Sequence, residues 1–191
     1  WNDAFTTNFL GQIAEVLVFD TEIPAHQQVM VENYLSSKYN IALDTAGGAT
    51  DLYAGDTPAN GDCDNDVAGI LQHAGGQITS GNSRGLMIAN STFLSGDGDA
   101  ILAGHDLKKN DNATDGLGSV TATNRMAREW FIDITDASSN GGVVTIQIDL
   151  AGADVAPMPA GTYYLLYRAS QASDFIEAGA VAYTGTGNVD L

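Results

Sequence analysis

Short apolar runs separated by segments rich in Gly, Asp, Asn and Ser make up the chain beyond residue 66. The runs cover residues 67–72, 86–89, 99–104, 129–135, 142–150 and 162–168. In 142–150 the apolar side chains Val144, Ile146, Ile148 and Leu150 alternate with polar ones, which is typical of an antiparallel strand with one face in water. Several short strands with turns between them predict a β-sandwich.

Two further elements precede this region. Residues 10–20 read LGQIAEVLVFD, with apolar residues at both odd-numbered and even-numbered positions. Because these positions point to opposite faces of a strand, the run predicts a strand buried on both faces. Residues 24–38 predict a helix, because Pro24 suits the first helical position and Asn40 can end it. The residues spaced as one helix face are Val31, Tyr34, Leu35 and Lys38. The expected fold class is mainly β: an antiparallel β-sandwich with one packed α-helix near the N-terminus.

The charge balance restricts the partners of the chain. It has 24 acidic and seven basic side chains, a formal net charge of -17. Such a surface repels phosphate backbones and anionic lipids, which excludes nucleic acid as a partner. No apolar run reaches the roughly 18 residues of a membrane-spanning helix, so membrane insertion is not expected. The chain has no initiator Met and no signal peptide, and we expect a processed or excised part of a longer protein.

The acidic residues are mostly Asp, which prefers turns and is a common oxygen ligand of calcium. Three loop clusters place carboxylates close enough in sequence to share one cation. The candidate calcium ligands are Asp62, Asp64 and Asp66 in the first, Asp97, Asp99 and Asp106 in the second, and Asp111 and Asp115 in the third. Solvated turns with side-chain capping remain the alternative for each cluster.

The sequence contains no recognisable catalytic motif. Cys63 lies between Asp62 and Asp64, where negative charge disfavours a thiolate. No GxSxG elbow, phosphate-binding loop or dinucleotide fingerprint is present. A glycosidase needs two carboxylates in one cleft, and nothing in the sequence selects such a pair. We therefore expect a protein that is not an enzyme.

Several longer motifs resemble known bacterial surface modules. FLGQIAEVLVFD and IPAHQQVMVENYLSSKYNIAL, within residues 9–43, resemble the C-terminal strand and helix of laminin-G/concanavalin-like modules. NDVAGI, GDGDAILAGHD, NRMAREWFID and YYLLYRASQASDF, between residues 65 and 175, resemble an uncharacterised β-domain of large bacterial adhesins. The resemblance implies cell adhesion, an extracellular location at the bacterial cell surface and no established catalysis.

This resemblance implies three parts. Residues 1–43 are the terminal strand and helix of a laminin-G-like module, or the first part of a split domain; residues 44–66 are an acidic loop; residues 67–191 are the β-sandwich domain. The implied function is a non-catalytic, calcium-stabilised adhesin module that scaffolds or positions a ligand-binding region. Its partners would be neighbouring domains of the same long chain, with cell-surface glycans or proteins as further candidates.

Two other functions stay open. A strand that lacks its own sheet can complete the sheet of a neighbour, which predicts a self-assembling subunit of an extracellular fibre or sheath. A carbohydrate-binding module is the third hypothesis, since Tyr163, Tyr164 and Tyr167 lie together on one predicted strand. Core packing and cross-strand aromatic pairing are the alternative explanation for these rings.

Overall fold

The computed structural model describes residues 11–109, 111–149, 160–183 and 189–190. Within these ranges the chain forms one α-helix and twelve strands. The elements are α1 Ala25–Tyr39, β1 Asn65–His73, β2 Gly76–Ile78, β3 Ser80–Ser83, β4 Leu86–Asn90, β5 Ala100–His105, β6 Asn112–Ala113, β7 Arg125–Met126, β8 Trp130–Thr135, β9 Val144–Ile148, β10 Gly161–Tyr167, β11 Ile176–Tyr183 and β12 Val189–Asp190. The mainly-β prediction with a single N-terminal helix is confirmed.

Two four-stranded antiparallel sheets form the body of the fold. The first has the strand order β2-β1-β5-β8 and the second the order β12-β9-β4-β3. Strands β10 and β11 form a separate hairpin, and β6 pairs with β7. The main core contains residues of β1 and β5 from the first sheet, of β4 from the second, and of the loop after β4: Ile70, Leu86, Ile88, Phe93, Leu94, Ile101 and Ala103.

The alternation predicted for β9 is confirmed. Val144, Ile146 and Ile148 pack against the main core, while Thr145 between them is exposed. Leu150, which was predicted to share the inward face, lies outside the described residues. Because side chains on a strand alternate between its faces, this local pattern suffices to orient the strand.

The two central strands of the first sheet, β1 and β5, are buried on both faces. In β1, Ile70 belongs to the main core, whereas its neighbour Leu71 packs with Val29 of α1 and Ala100 of β5 in a second cluster. A third cluster, on Leu102 of β5, contains residues of the segment before β1. The helix and this segment therefore form a third layer, which explains why β1 and β5 are apolar almost throughout.

Helix α1 has the predicted extent but buries a different face. It begins directly after Pro24 and ends at Asn40, whose φ of 51° is the left-handed conformation expected of a C-cap. Its buried residues are Val29, Asn33 and Ser37, not the predicted stripe on Val31 and Leu35. Two of the three are polar, so a periodicity that counts apolar residues misses this face.

Asn33 is buried because it hydrogen-bonds the segment that follows the helix. Its Nδ2 donates to the carbonyls of Val29 and Thr50, each at 2.8 Å, and its Oδ1 accepts from the Leu52 N–H at 2.8 Å. Ser37 Oγ donates to Asp56 in the same segment, at 3.3 Å. These bonds attach the segment to α1 above the first sheet.

The buried strand predicted at residues 10–20 is wrong for the described part of that range. Residues 11–20 form no strand, and all but one are exposed. A strand buried on both faces needs neighbouring strands and two covering layers. The described part of the chain does not provide them, because α1 and the segment after it cover the outer face of the first sheet.

Strand β3 was missed by the sequence analysis. Its residues SGNS have low strand propensity, and pairing with β4 determines the strand, from Ser80 opposite Ala89 to Ser83 opposite Leu86. The β3 backbone crosses close to β1, where a side chain on Gly81 would collide with the backbone of Gly69. Glycine is thus required where the two sheets approach each other.

Candidate functional site

The first predicted calcium cluster contains a buried histidine contact. Asp66 lies at an irregularity of β1 with a φ of 51°, and its Oδ2 is 2.9 Å from Nε2 of His105. The other ring nitrogen of His105 accepts the Leu107 N–H at 3.1 Å, so the proton of neutral His105 is on Nε2 and is donated to Asp66. Asp64 accepts from Asn65, and Asp62 is exposed.

The second predicted cluster is divided between two roles. Asp97 Oδ1 accepts the Gly75 N–H at 3.3 Å. Asp99 is fully buried and accepts five hydrogen bonds, from the N–H and Oγ of Ser95, the N–H of Gly96, and the N–H and Oγ of Ser138. Burial by itself would raise the pKa of Asp99, but the N–H donors of Ser138, Ser95 and Gly96 outweigh it and lower the pKa to about 2.

The remaining predicted ligands are next to basic side chains. Asp106 Oδ2 is 2.8 Å from Lys108 Nζ, and Asp115 Oδ2 is 2.8 Å from an Arg125 nitrogen. The hydrogen bond from Arg125 lowers the pKa of Asp115. Asp111 is exposed. Internal cations therefore neutralise two of the carboxylates that the sequence analysis assigned to calcium.

No three His, Cys, Asp or Glu side chains converge as metal ligands in the part of the chain that the structure describes. The eight predicted ligands instead lie in β1 and in several loops, and Asp66, Asp99, Asp106 and Asp115 each have a partner within the protein. Calcium stays a prediction.

A cluster of charged side chains around Glu129, which sequence analysis missed, joins several loops. Glu129 is about nine-tenths buried and lies 3.1 Å from an Arg125 nitrogen and 2.5 Å from an Arg168 nitrogen. Lys108 Nζ is 3.7 Å from the same carboxylate. Lys108, Glu129 and Arg168 lie in the loops beside β5, β8 and β10, and Arg125 begins β7. We call them, with Asp106 and Asp115, the Glu129 cluster.

Phe175 completes the attachment of the β10–β11 hairpin to this cluster. The guanidinium groups of Arg125 and Arg168 lie 4.8 Å and 4.9 Å from the centre of its ring. The cluster includes three of the chain's seven basic residues, and a fourth, Arg128, donates to the Lys108 carbonyl beside it. Lys and Arg are scarce in this chain, and five of the seven lie between residues 108 and 168, which was the available sequence signal.

Cys63 is a buried thiol. Its side chain is 1% exposed, and burial together with the charge of Asp106 raises its pKa to about 11. Its carbonyl accepts a 2.5 Å hydrogen bond from Tyr53. A thiol with this pKa is protonated at neutral pH, which makes it a poor nucleophile.

The aromatic side chains of β8 and β10 differ in exposure: Tyr167 is 51% exposed, whereas Tyr163, Tyr164, Trp130 and Phe131 are half-buried. Trp130 packs on the main core and donates its indole N–H to the Ser83 carbonyl at 2.8 Å. Phe131 faces the helix side of the sheet, edge-on to Tyr53. In the hairpin, Tyr163 is edge-on to Tyr183 with 6.0 Å between ring centres. Cross-strand aromatic pairing therefore accounts for Tyr163.

The candidate interaction site is the apolar segment 13–19. Its large side chains, between 41% and 87% exposed, are Ile13, Val16, Leu17, Val18 and Phe19. Glu15 fixes its position, because its Oε2 accepts from Lys38 Nζ at 2.9 Å and from Tyr39 at 2.8 Å, at the end of α1. The Lys38 bond lowers the pKa of Glu15 and neutralises the one charge in the segment.

No described helix has the length and apolar character needed to cross a membrane. Comparisons of the chain with protein-family models, with curated proteins and with solved structures found no match.

Proposed function

We propose that the chain is a non-catalytic extracellular module of a large bacterial surface adhesin, whose apolar segment 13–19 joins it to a neighbouring domain of the same polypeptide. The role is mechanical: the β-sandwich positions an adjoining ligand-binding region. The proposal rests on the adhesin-like sequence motifs and on one structural observation, the exposure of five large apolar side chains within seven residues.

Such exposure is unusual for a chain of this composition. Elsewhere in the described residues, large apolar side chains either pack into three clusters or are exposed at scattered positions such as Leu107 and Ile134. This segment instead exposes five of them within seven residues, with Val18 at 87% exposure. Contiguous apolar surface of this kind marks interaction sites. Because the segment is apolar on both alternations, the partner that fits it is a β-sheet with apolar layers on both faces, into which the segment inserts as a strand.

The charge of the protein favours a neighbouring domain over a second copy as that partner. Two copies with a net charge of -17 each repel one another. Within the segment itself, Glu15 is neutralised by Lys38, so burial in a sheet leaves no unpaired charge there. A covalently linked domain also provides a high effective concentration, which a separate partner lacks.

Hydrogen exchange on two lengths of polypeptide tests the proposal. In the isolated chain, the amides of residues 13–19 should exchange rapidly; in the chain extended by its natural N-terminal flank, they should be protected as strongly as those of β5. Equally rapid exchange in both would overturn the proposal. Val18→Asp should lower the melting temperature of the extended chain but not of the isolated one.

Leu107→Asn is the matched control for Val18→Asp. Leu107 is 66% exposed and has a φ of 57°, a conformation that Asn adopts readily. It lies outside the apolar segment, so its replacement should leave the extended chain unaffected. An equal loss of stability from both variants would indicate a general effect of removing exposed apolar surface.

Self-assembly through strand addition is the second candidate, and the same exposed segment favours it. Self-assembly predicts that the protection of residues 13–19 from hydrogen exchange rises with protein concentration in the isolated chain. It also predicts fibres or oligomers. Sedimentation at increasing concentration and at high salt, which screens the charge repulsion, distinguishes the two. A monomer under all these conditions would exclude self-assembly and leave the neighbouring-domain proposal intact.

A further inference from the structure

Two Asn-Gly pairs occur in the chain, at Asn60-Gly61 and at Asn140-Gly141. An asparagine followed by glycine is chemically vulnerable, because the backbone nitrogen of the glycine can attack the side-chain carbonyl carbon of the asparagine without hindrance from a side chain. The folded structure decides how accessible that route is. The two pairs differ in their hydrogen bonds and in their surroundings.

Asn140 lies in the open loop between β8 and β9. Its side chain is exposed, and Nδ2 donates one long hydrogen bond, 3.3 Å, to Ser95 Oγ. Gly141 has a φ of 63°, and no other atom lies within 4 Å of the position that a Cβ on it would occupy. The amide is thus weakly held, and the attacking residue is uncrowded.

A carboxylate is placed on the attacking nitrogen. Asp136 Oδ2 accepts the Gly141 N–H at 3.0 Å. The other oxygen of Asp136 lies 3.2 Å from Ser138 Oγ, whose proton is donated to Asp99 over the shorter distance of 2.9 Å. A base within hydrogen-bond reach of the proton to be removed has the geometry required of a general base.

Asn60 has none of these features. Its Nδ2 donates a 2.8 Å bond to the Ala54 carbonyl, which holds the side-chain amide in place. The Gly61 N–H donates to the Pro58 carbonyl, a group that does not take up a proton. The side chain of Gln171 crowds Gly61 on the side where a Cβ would be. Asn60 therefore serves as an internal comparison.

We propose that Asn140 is a self-modification site at which the folded protein deamidates, with Asp136 as general base and water as co-reactant. The Gly141 nitrogen bonds to Cγ of Asn140 as its proton passes to Asp136. The Cγ–Nδ2 bond then breaks, and Nδ2 takes that proton and leaves as ammonia. Water opens the resulting cyclic imide at either carbonyl, which yields aspartate or isoaspartate.

The product would disturb the contacts of Asp99. The loop carries Ser138, which donates two hydrogen bonds to Asp99, and Val143, which pairs with Thr92. Isoaspartate adds one methylene group to the main chain in this loop, and either product adds a carboxylate close to Asp136. We expect the deamidated protein to be less stable than the original, by loss of the Ser138 contacts to Asp99.

Peptide mapping by mass spectrometry, after incubation at physiological temperature and neutral pH, tests the proposal on the unaltered chain. In the folded protein, Asn140 should deamidate at least about tenfold faster than Asn60. This factor is smaller than the rate acceleration that a positioned general base usually contributes. In denaturant the two rates should converge. Folded-state rates that are equal, or faster at Asn60, would overturn the proposal.

A matched pair of variants isolates the role of Asp136. Asp136→Ser should slow deamidation of Asn140 about tenfold relative to Asp97→Ser, which removes a carboxylate from the adjacent loop that does not contact Gly141. An unchanged or faster rate in Asp136→Ser would refute the general-base role. The comparison of Asn140 with Asn60 in the unaltered chain, folded and in denaturant, does not depend on these variants. It therefore remains decisive even where a variant loosens the loop.

Discussion

Asp99 and Ser138 are joined by two hydrogen bonds across 39 residues of sequence. The Ser138 N–H donates to one carboxylate oxygen and its Oγ to the other, each at 2.9 Å. Ser95 and Gly96 donate to the same carboxylate, so that one fully buried side chain holds the loops at the ends of β4 and β8 to the start of β5. A carboxylate that the sequence suggests as a metal ligand is thus bound by protein donors.

Asp99→Asn should destabilise the protein by about 2 kcal/mol or more. The amide of asparagine replaces an acceptor oxygen with an NH2 group that would face N–H donors, and those buried donors lose their partner. Chemical denaturation provides the measurement. Asp20→Asn, a change at an exposed carboxylate, should alter the unfolding free energy by less than about 0.5 kcal/mol. Equal effects of the two variants would contradict this role of Asp99.

Asp99 also predicts a specific loss of stability in acid. Its pKa is about 2 in the folded protein and 3.8 ordinarily, so the unfolded chain binds the proton more tightly. The stabilisation is therefore complete above about pH 4 and is lost as pH falls toward 2. The difference in unfolding free energy between wild type and Asp99→Asn should shrink across that interval. A pH-independent difference would show that the charge of Asp99 is unimportant.

Glu129→Gln should lower the unfolding free energy by about 3 kcal/mol, because it leaves the buried charges of Arg125 and Arg168 without their shared partner. Hydrogen exchange should accelerate in the β10–β11 hairpin before it does so in β1 and β5. Glu22→Gln, at an exposed glutamate, provides the control and should have no measurable effect. If the hairpin keeps its protection in Glu129→Gln, the cluster does not attach it.

Asn33→Ala should cost about 2 to 3 kcal/mol. The substitution leaves the Thr50 carbonyl and the Leu52 N–H without the partner that Asn33 provides. The helix should persist by circular dichroism, while the segment after it becomes sensitive to proteolysis. Gln27→Ala, on the exposed face of the same helix, is the control. Unchanged proteolysis in Asn33→Ala would mean that apolar packing alone holds the segment.

The calcium prediction is decided by thermal unfolding with calcium and with a chelator. Calcium at about a hundred times its dissociation constant would stabilise the protein by about 2.7 kcal/mol. Asp62 is exposed and Asp64 lies beside it in the first cluster, so Asp62→Asn with Asp64→Asn should abolish the rise in melting temperature, and Asp20→Asn should preserve it. Identical melting temperatures in calcium and in chelator would show that calcium does not stabilise this fold.

Elements that depend on local pattern were predictable. The alternation of Val144, Ile146 and Ile148 identifies β9 because side-chain direction on a strand repeats every two residues. Asn40 ends α1 because it tolerates the left-handed conformation there. Strand β3 was not predictable from SGNS, because its existence depends on pairing with β4.

The contacts of the charged side chains were not predictable. Asp115 and Arg125 are ten residues apart, Glu129 and Arg168 are 39 apart, and Asp66 and His105 are also 39 apart. Carboxylates in acidic loops fit an ion, a turn or a salt bridge equally well on sequence alone. Only the tertiary structure brings each one to its partner: the pairing of β5 with β1, for example, brings His105 to Asp66.

The sequence by itself determined the mainly-β class, the helix and the orientation of β9, since apolar periodicity acts within a few residues. Tertiary structure alone decided which face of α1 is buried, that Asp99 is bound by Ser95 and Ser138, and that the apolar segment 13–19 is exposed. The reason is that burial depends on what surrounds a residue. A periodic apolar run specifies surfaces that must be covered, but the rest of the fold decides whether anything covers them.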